Sequence, residues 1–156
     1  DKPQKVCSFD GRSPAIGMLV RSVGQGGIAP AGKAYDKPLV VLINDHTGSM
    51  SEGLSFCLGD TGRGLLVGRP TRGLNAAIRN TTLSDGTVLW HSWIRVNRLN
   101  GEHYQNVGVQ PQERVEASDD EVRRLGIDEA RWLERERQFE TAVKRLRERV
   151  AGRGKP

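Results

Sequence analysis

Ser49 is the residue whose surroundings best suit nucleophilic chemistry. It follows a continuous apolar run, Leu39-Val40-Val41-Leu42-Ile43, and a polar turn, Asn44-Asp45-His46-Thr47-Gly48. It precedes a segment with helical spacing. A tight turn at Thr47-Gly48 pushes a hydroxyl clear of the strand end, and a helix start supplies unpaired N–H groups and a partial positive charge. The Met50 N–H then points at the oxyanion formed when Ser49 attacks a carbonyl carbon. This is the logic of a nucleophile elbow, although the residues are not Gly-x-Ser-x-Gly. Thr47, Ser49 and Ser51 equally suit a helix N-cap, so the local pattern leaves both readings open. The histidines are His46, His91 and His103. His46 lies three residues before Ser49 and His91 in a strand segment, which makes each a candidate general base; surface imidazoles bonded to water are the plainer reading. Glu52, in the first helical turn, complements the helix dipole and needs no catalytic role.

The elements that must position these residues follow from spacing. Ile16-Gly17-Met18-Leu19-Val20 reads as a short strand, and residues 22–38 read as loop. Leu39–Ile43 reads as a strand buried on both faces. Met50, Leu54, Cys57 and Leu58 fall on one helix face, closed by Gly59 or Gly62. Leu65-Leu66-Val67-Gly68 is a second buried strand, so residues 39–68 form a right-handed βαβ unit. Asp85-Gly86 and Asn100-Gly101 each sit between β-compatible segments and predict two hairpins, with Trp90 and Trp93 in a strand that bends between them. Ser118-Asp119-Asp120-Glu121 is a capping box for a short helix ended by Gly126. Asp128 starts a longer helix to about Val150. Its stripe of Trp132, Phe139, Val143, Leu146 and Val150 is expected to dock it. The chain divides into a loop-rich segment with a short strand (1–37), an α/β core (38–117), C-terminal helices (118–150) and a tail (151–156).

Composition narrows the function classes. The chain has 156 residues, 36% hydrophobic and 28% charged, which fits a folded domain. The net charge of +5 is spread rather than gathered, and the charge-dense segment 119–149 is neutral, which argues against a nucleic-acid partner. No run approaches a membrane-spanning length. The opening Asp1-Lys2-Pro3-Gln4-Lys5 lacks the apolar core of a signal peptide, as a processed chain also would. Cys7 and Cys57 form no Cys-x-x-Cys or Cys/His cluster, so neither a metal nor a cofactor is expected. They read as small apolar residues, or as a pair in an oxidising compartment.

Residues 38–147 resemble the C-terminal processing (tail-specific) serine peptidases. The chain reads P-L-V-V-L-I-N-D-H-T-G-S-M-S-E-G-L and then L-G-D-T-G-R-G-L-L-V-G-R-P-T-R-G-L. The family shows a buried strand, a turn of the kind S-A-S-A-S-E, a helix, an Asp near its end, a V-V-G strand and a G-K-G turn. L-S-D-G-T, N-G-E-H-Y-Q-N-V-G-V-Q-P and R-E-R-Q-F-E-T-A-V-K-R-L are similar to its later segments, in order. The resemblance implies a crotonase/Clp-like α/β core, nucleophile Ser49, oxyanion donor Met50, and Asp60 as the helix-end acid that orients a base or closes the helix. It also implies peptide or protein substrates and favours a periplasmic or secreted setting.

The family's general-base lysine falls on Leu74, which cannot accept a proton. Arg72 does not replace it, because a guanidinium stays protonated. The turn T-G-S-M-S-E-G is more similar to T-G-S-M-G-E-G of the tricorn-core-like members, which use a histidine from earlier in the chain. The family's R-G-N-x-G-G segment has no counterpart beyond Gly24-Gln25-Gly26-Gly27. The expectation is therefore a serine peptidase acting through an acyl-Ser49, dependent on an N-terminal half or second chain. The alternative is an inactive module that binds extended peptides. The two-faced strand and the helix stripe lead to an expectation of oligomerisation.

Overall fold

The computed structural model of the chain describes residues 4–11, 24–28, 35–74, 76–98 and 100–153. In order, the elements are β1 (Gln4–Gly11), β2 (Gly24–Ile28), β3 (Leu39–Ile43), α1 (Met50–Asp60), β4 (Gly64–Gly68), β5 (Ile78–Thr82), β6 (Val88–Ser92), β7 (Ile94–Asn97), β8 (Glu113–Arg114), α2 (Asp119–Leu125) and α3 (Ile127–Arg153). The mixed α/β class is the expected one. The predicted strand at Ile16–Val20 lies outside the described residues. Part of the predicted 22–38 loop is β2, and β1 lies before it.

β3, α1 and β4 form the predicted βαβ unit. β3 and β4 pair in parallel from Leu39↔Gly64 to Ile43↔Gly68, and parallel neighbours need such a crossover. β8 pairs in parallel with β4 on the far side, giving the order β3-β4-β8. Among the described residues β3 therefore has one strand neighbour, and its burial is one-sided rather than on both faces as expected. Val41 and Ile43 point to the core of Phe56, Leu66, Tyr104 and Val109. Leu42, of opposite parity, is 45% exposed. The Phe56 and Tyr104 rings pack tilted at 5.1 Å between centroids, a geometry aromatic pairs favour.

α1 does not bury its predicted face. Met50 and Leu54 are 81% and 60% exposed, whereas Glu52, Ser55 and Phe56 are buried. The buried positions continue to Gly59, whose hydrogen faces Leu66 where a Cβ would lie 2.9 Å from Leu66 Cδ1. The face i, i+3, i+4, i+7 is still helical, but two of its members are polar and both are satisfied. The Ser55 hydroxyl donates to the Ser51 carbonyl at 2.7 Å, and Glu52 accepts from the turn after β4.

The Asp85-Gly86 hairpin forms as predicted, with β5 and β6 paired from Ile78↔Ser92 to Thr82↔Val88. The strand breaks at Trp93. The Asn100-Gly101 turn also forms, closed by the Arg98 N–H donating to the Glu102 carbonyl at 2.8 Å. Its second arm shrinks to one bridge, Asn97↔His103, because β7 spends its ladder on β1 instead. β2, β1 and β7 form a separate antiparallel sheet.

Ser118 and Glu121 make the predicted capping box: the Glu121 N–H donates to the Ser118 hydroxyl at 3.2 Å, and the Ser118 N–H to Glu121 Oε2 at 2.8 Å. α2 ends at Gly126. α3 begins at Ile127, with Asp128 inside its first turn rather than capping it. The docking face of α3 also differs from expectation. Ala130, Glu134, Gln138 and Ala142, four residues apart, are buried, while Trp132 and Phe139 are 55% and 61% exposed. Alanines allow close approach, and the polar pair is hydrogen-bonded. Glu134 accepts from the Ala117 N–H at 2.7 Å and from Arg69 at 3.3 Å, and Gln138 donates to the Val115 carbonyl at 2.9 Å. Polar anchoring therefore decides the orientation of α3, against its apolar stripe.

Glu121 also receives Arg137 of α3 at 3.0 Å. The Ser118 backbone N–H, then the Arg137 guanidinium and the Ser118 hydroxyl, lower its carboxyl from the ordinary 4.5 to about 2. A folded pKa below the unfolded one gives a contribution that is complete above about pH 4.5 and is lost as pH falls toward 2. Urea midpoints measured across that window should therefore fall with pH, and Glu121→Gln should flatten the part of the slope that Glu121 supplies.

Candidate active site

The chain leaves β3 through a turn built on Asn44. The Asn44 N–H donates to Thr47 Oγ1 at 3.1 Å, the Thr47 N–H returns to the Asn44 carbonyl at 2.9 Å, and the His46 N–H donates to Asn44 Oδ1 at 2.9 Å. Ser49 follows as the N-cap of α1, with φ 56° and ψ −126°. A positive φ is unusual for a residue with a side chain and is kept only where neighbours over-determine it. Two neighbours do so here. The Ser49 N–H donates to the Leu74 carbonyl at 2.7 Å and to Glu52 Oε2 at 3.0 Å. Ser49 is exposed at this elbow. Met50 is the first helical residue, where an N–H has no intrahelical acceptor.

Glu52 is fully buried beneath the elbow. Besides Ser49, its oxygens accept from the Thr71 hydroxyl at 2.5 Å, the Gly73 N–H at 2.6 Å and the Leu74 N–H at 2.9 Å. Thr71 passes the connection on, because its hydroxyl accepts from the Val109 N–H at 2.7 Å. The Arg72 N–H donates to the Thr47 carbonyl at 2.9 Å, and the Asn106 N–H to the Gly73 carbonyl at 2.7 Å. Three loops, 44–49, 71–74 and 104–109, are thereby locked together. The backbones approach so closely that side chains do not fit. A Cβ on Gly108 would lie 2.1 Å from the Thr71 carbonyl oxygen, and one on Gly73 would lie 2.9 Å from the Gly108 nitrogen; both glycines have φ near +75° to +79°.

The other sequence-derived candidates are dispersed. The His46 ring lies 3.4 Å from an Arg131 guanidinium nitrogen, and Arg131 also holds Asp45 at 3.0 Å. His91 sits within the β5–β6 hairpin, with Nε2 3.0 Å from Thr81 Oγ1 and Nδ1 3.2 Å from the Ser92 carbonyl oxygen. His103 is exposed at its bridge. Asp60 closes the opposite end of α1, about 16 Å along the helix from Ser49. It accepts both Arg98 Nε at 3.1 Å and a terminal nitrogen at 2.5 Å. That pairing raises the Arg98 pKa further and ties α1 to the Asn100 turn. Leu74 is the candidate position that stands beside Ser49, through its backbone; its side chain is 48% exposed. Glu52 and Thr71 were not read from the sequence as parts of the site. The available signal was Ser49-x-x-Glu52 at capping-box spacing.

A family model described as peptidase family S41 matches residues 6–115, which hold the elbow, both parallel partners of β4 and the glycine turns. The chain belongs to this family of serine peptidases. It is 36% identical over 74 residues to carboxyl-terminal-processing peptidase 3, chloroplastic, of Arabidopsis thaliana, covering 47% of this chain and 14% of that protein. It is 36% identical over 83 residues to the carboxyl-terminal-processing protease of Synechocystis sp., covering 53% and 19%. The chain thus spans less than a fifth of the length of these curated relatives. The crystal structure of a putative peptidase from Parabacteroides merdae shares the fold, with a TM-score of 0.69 at 16% identity over 94% of this chain and 44% of that one. Among the described residues no helix is long and apolar enough to cross a membrane.

All four groups bonded to Glu52 are donors, three of them backbone N–H groups that cannot reverse. In Glu52→Gln, either orientation of the amide sets an NH2 against at least one N–H. The variant should lose roughly 2–4 kcal/mol of stability, read as a lower urea midpoint at unchanged m-value. Wild-type stability in Glu52→Gln would mean that the network is not formed.

Proposed function

We propose that this chain carries the nucleophile portion of a C-terminal processing serine peptidase. Ser49 Oγ attacks the carbonyl carbon of the scissile peptide bond, and the Met50 N–H donates to the oxyanion that forms. Collapse expels the amine and leaves an acyl-Ser49, which water hydrolyses. The observation that carries this reading is the strained, exposed Ser49 at the start of α1, held by Leu74 and Glu52. The proton acceptor comes from another part of the enzyme, an N-terminal half or second chain, since His46, His91 and Asp60 are engaged elsewhere and Leu74 is aliphatic. Family membership supports peptide or protein substrates. The periplasmic or secreted setting remains part of this proposal.

One observation favours a second reading. An aliphatic residue stands where a lysine base would meet Ser49, as in a peptidase-like module that has lost catalysis and keeps the fold for binding. The edge of β3 that no other described strand pairs would then take an extended peptide by β-addition.

A fluorophosphonate probe should label Ser49 when the chain is combined with its N-terminal half, and Ser49→Ala should abolish labelling and peptide cleavage together. Robust cleavage by Ser49→Ala would sink the assignment; an unlabelled wild type that still binds peptide would favour the inert module. Leu74→Lys should not create an active dyad. A lysine base needs a desolvated pocket to bring its pKa down from about 10.4, and position 74 is half-exposed. A strong gain in hydrolysis with Leu74→Lys would instead identify a Ser-Lys peptidase that has recently lost its base.

A further inference from the structure

The stripe that does not dock α3 has a regular spacing of its own. Trp132, Phe139 and Leu146 recur every seven residues, and so do Val143 and Val150, offset by four. This is the two-position heptad of a coiled-coil seam. The stripe runs about 27 Å along the helix. It lies away from the Ala130, Glu134, Gln138 and Ala142 face, and Trp132, Phe139, Leu146 and Val150 are all exposed. A shallow groove of about 420 Å³ opens at its middle between Phe139, Val143 and the flanking Glu140, Lys144 and Arg147. The stripe also lies outside residues 6–115, the part matched by the family model.

The flanking charges say what fits there. On one side of the stripe Glu136 and Glu140 occupy the N-terminal half, and Lys144 and Arg147 the C-terminal half. A second copy of the same helix running the other way presents the opposite order. We propose that two copies of the chain associate through this face, packing α3 against α3 in an antiparallel pair. Phe139 then lies opposite the partner's Val150, and Val143 opposite the partner's Leu146. In this register Glu140 faces the partner's Arg147, and the two-fold axis makes the contact twice. On the other flank Arg149 comes level with the partner's Ala142, which is buried within its own chain, so no like charges meet. Sliding by one heptad, with Phe139 opposite the partner's Val143, sets Glu140 against the partner's Glu140 and Arg135 against the partner's Arg149. A parallel pair sets Glu136 against the partner's Glu136 within the seam itself. Charge thus selects one antiparallel register, and Glu136 within the seam disfavours the parallel pair, whose flanking Arg135 and Glu140 would otherwise attract. The proposal does not depend on catalysis by Ser49.

Sedimentation equilibrium of the purified 156-residue chain should show a reversible dimer. Phe139→Glu should give a monomer with an unchanged circular dichroism spectrum, since Phe139 is exposed and supports no described packing. Glu140→Arg and Arg147→Glu should each weaken the dimer by about ten-fold, because two symmetry-related pairs change from attraction to repulsion at once. The double variant should restore it. In a parallel pair Arg147→Glu would be neutral and the double variant would not recover, which would overturn the proposed orientation. A chain that stays monomeric at all soluble concentrations, or a dimer indifferent to Phe139→Glu, would overturn the proposal. So would protection of Trp132 and Phe139 only on adding the N-terminal half of the enzyme, which would assign the face to that segment instead.

Discussion

The side chain of Glu52 holds the rest of the site in place. A carboxyl group fully removed from water is costly to bury unless its oxygens are satisfied. Here four donors meet it, from Ser49, Thr71, Gly73 and Leu74. In a low-dielectric setting such bonds are strong, and leaving any of them unmade is correspondingly expensive. One side chain therefore fixes both the start of α1 and the turn after β4. Its burial also explains why α1 turns Met50 and Leu54 to solvent. The helix is oriented by its anchored polar residue and by Phe56 one turn later, not by its most apolar positions.

The strain at Ser49 and the close packing of glycines are two sides of this arrangement. A residue with φ 56° relaxes unless its N–H is held, and the Leu74 carbonyl and Glu52 hold it. Leu74 is in turn positioned because Gly73 and Gly108 let the 71–74 and 104–109 turns touch backbone to backbone. Tyr104, at the start of that last turn, is buried against Phe56, so the hydrophobic core and the polar network share the same loops. A disturbance in either reaches the elbow.

The same balance recurs in α3. Glu134 and Gln138 are buried with partners, Glu113 and Arg145 form a two-point pair at 2.6 and 3.0 Å, and the apolar stripe is left outward. Polar groups with fixed partners decide how this helix docks, and its hydrophobic residues are left for another surface. Residues 6–115 carry the family's fold and the elbow, while α2 and α3 close the sheet and present the stripe.

Local chemistry made much of this legible from the sequence. Leu39–Ile43 and Leu65–Gly68 flanking a helical stretch already meant a βαβ unit, since parallel strands need a crossover. Asp85-Gly86 marked its hairpin and Ser118-x-x-Glu121 its capping box, because these depend on backbone groups a few residues apart. Ser49 could be placed on a strand-to-helix turn for the same reason. What the sequence did not disclose were relations between distant segments. Whether β3 is buried on one face or two depends on which elements come to lie against it. Apolar spacing on α1 and α3 identified helices but not their inward faces, because buried Glu52, Glu134 and Gln138 are favourable only once Thr71, Gly73, Val115 and Ala117 arrive to bond them. Tertiary structure alone sent His46 to Arg131, His91 to Thr81 and Asp60 to Arg98, and set Leu74 beside Ser49. Those placements are decided by hydrogen bonds and close contacts spanning from about ten to more than eighty residues of sequence, a range over which periodicity and turn chemistry carry no information.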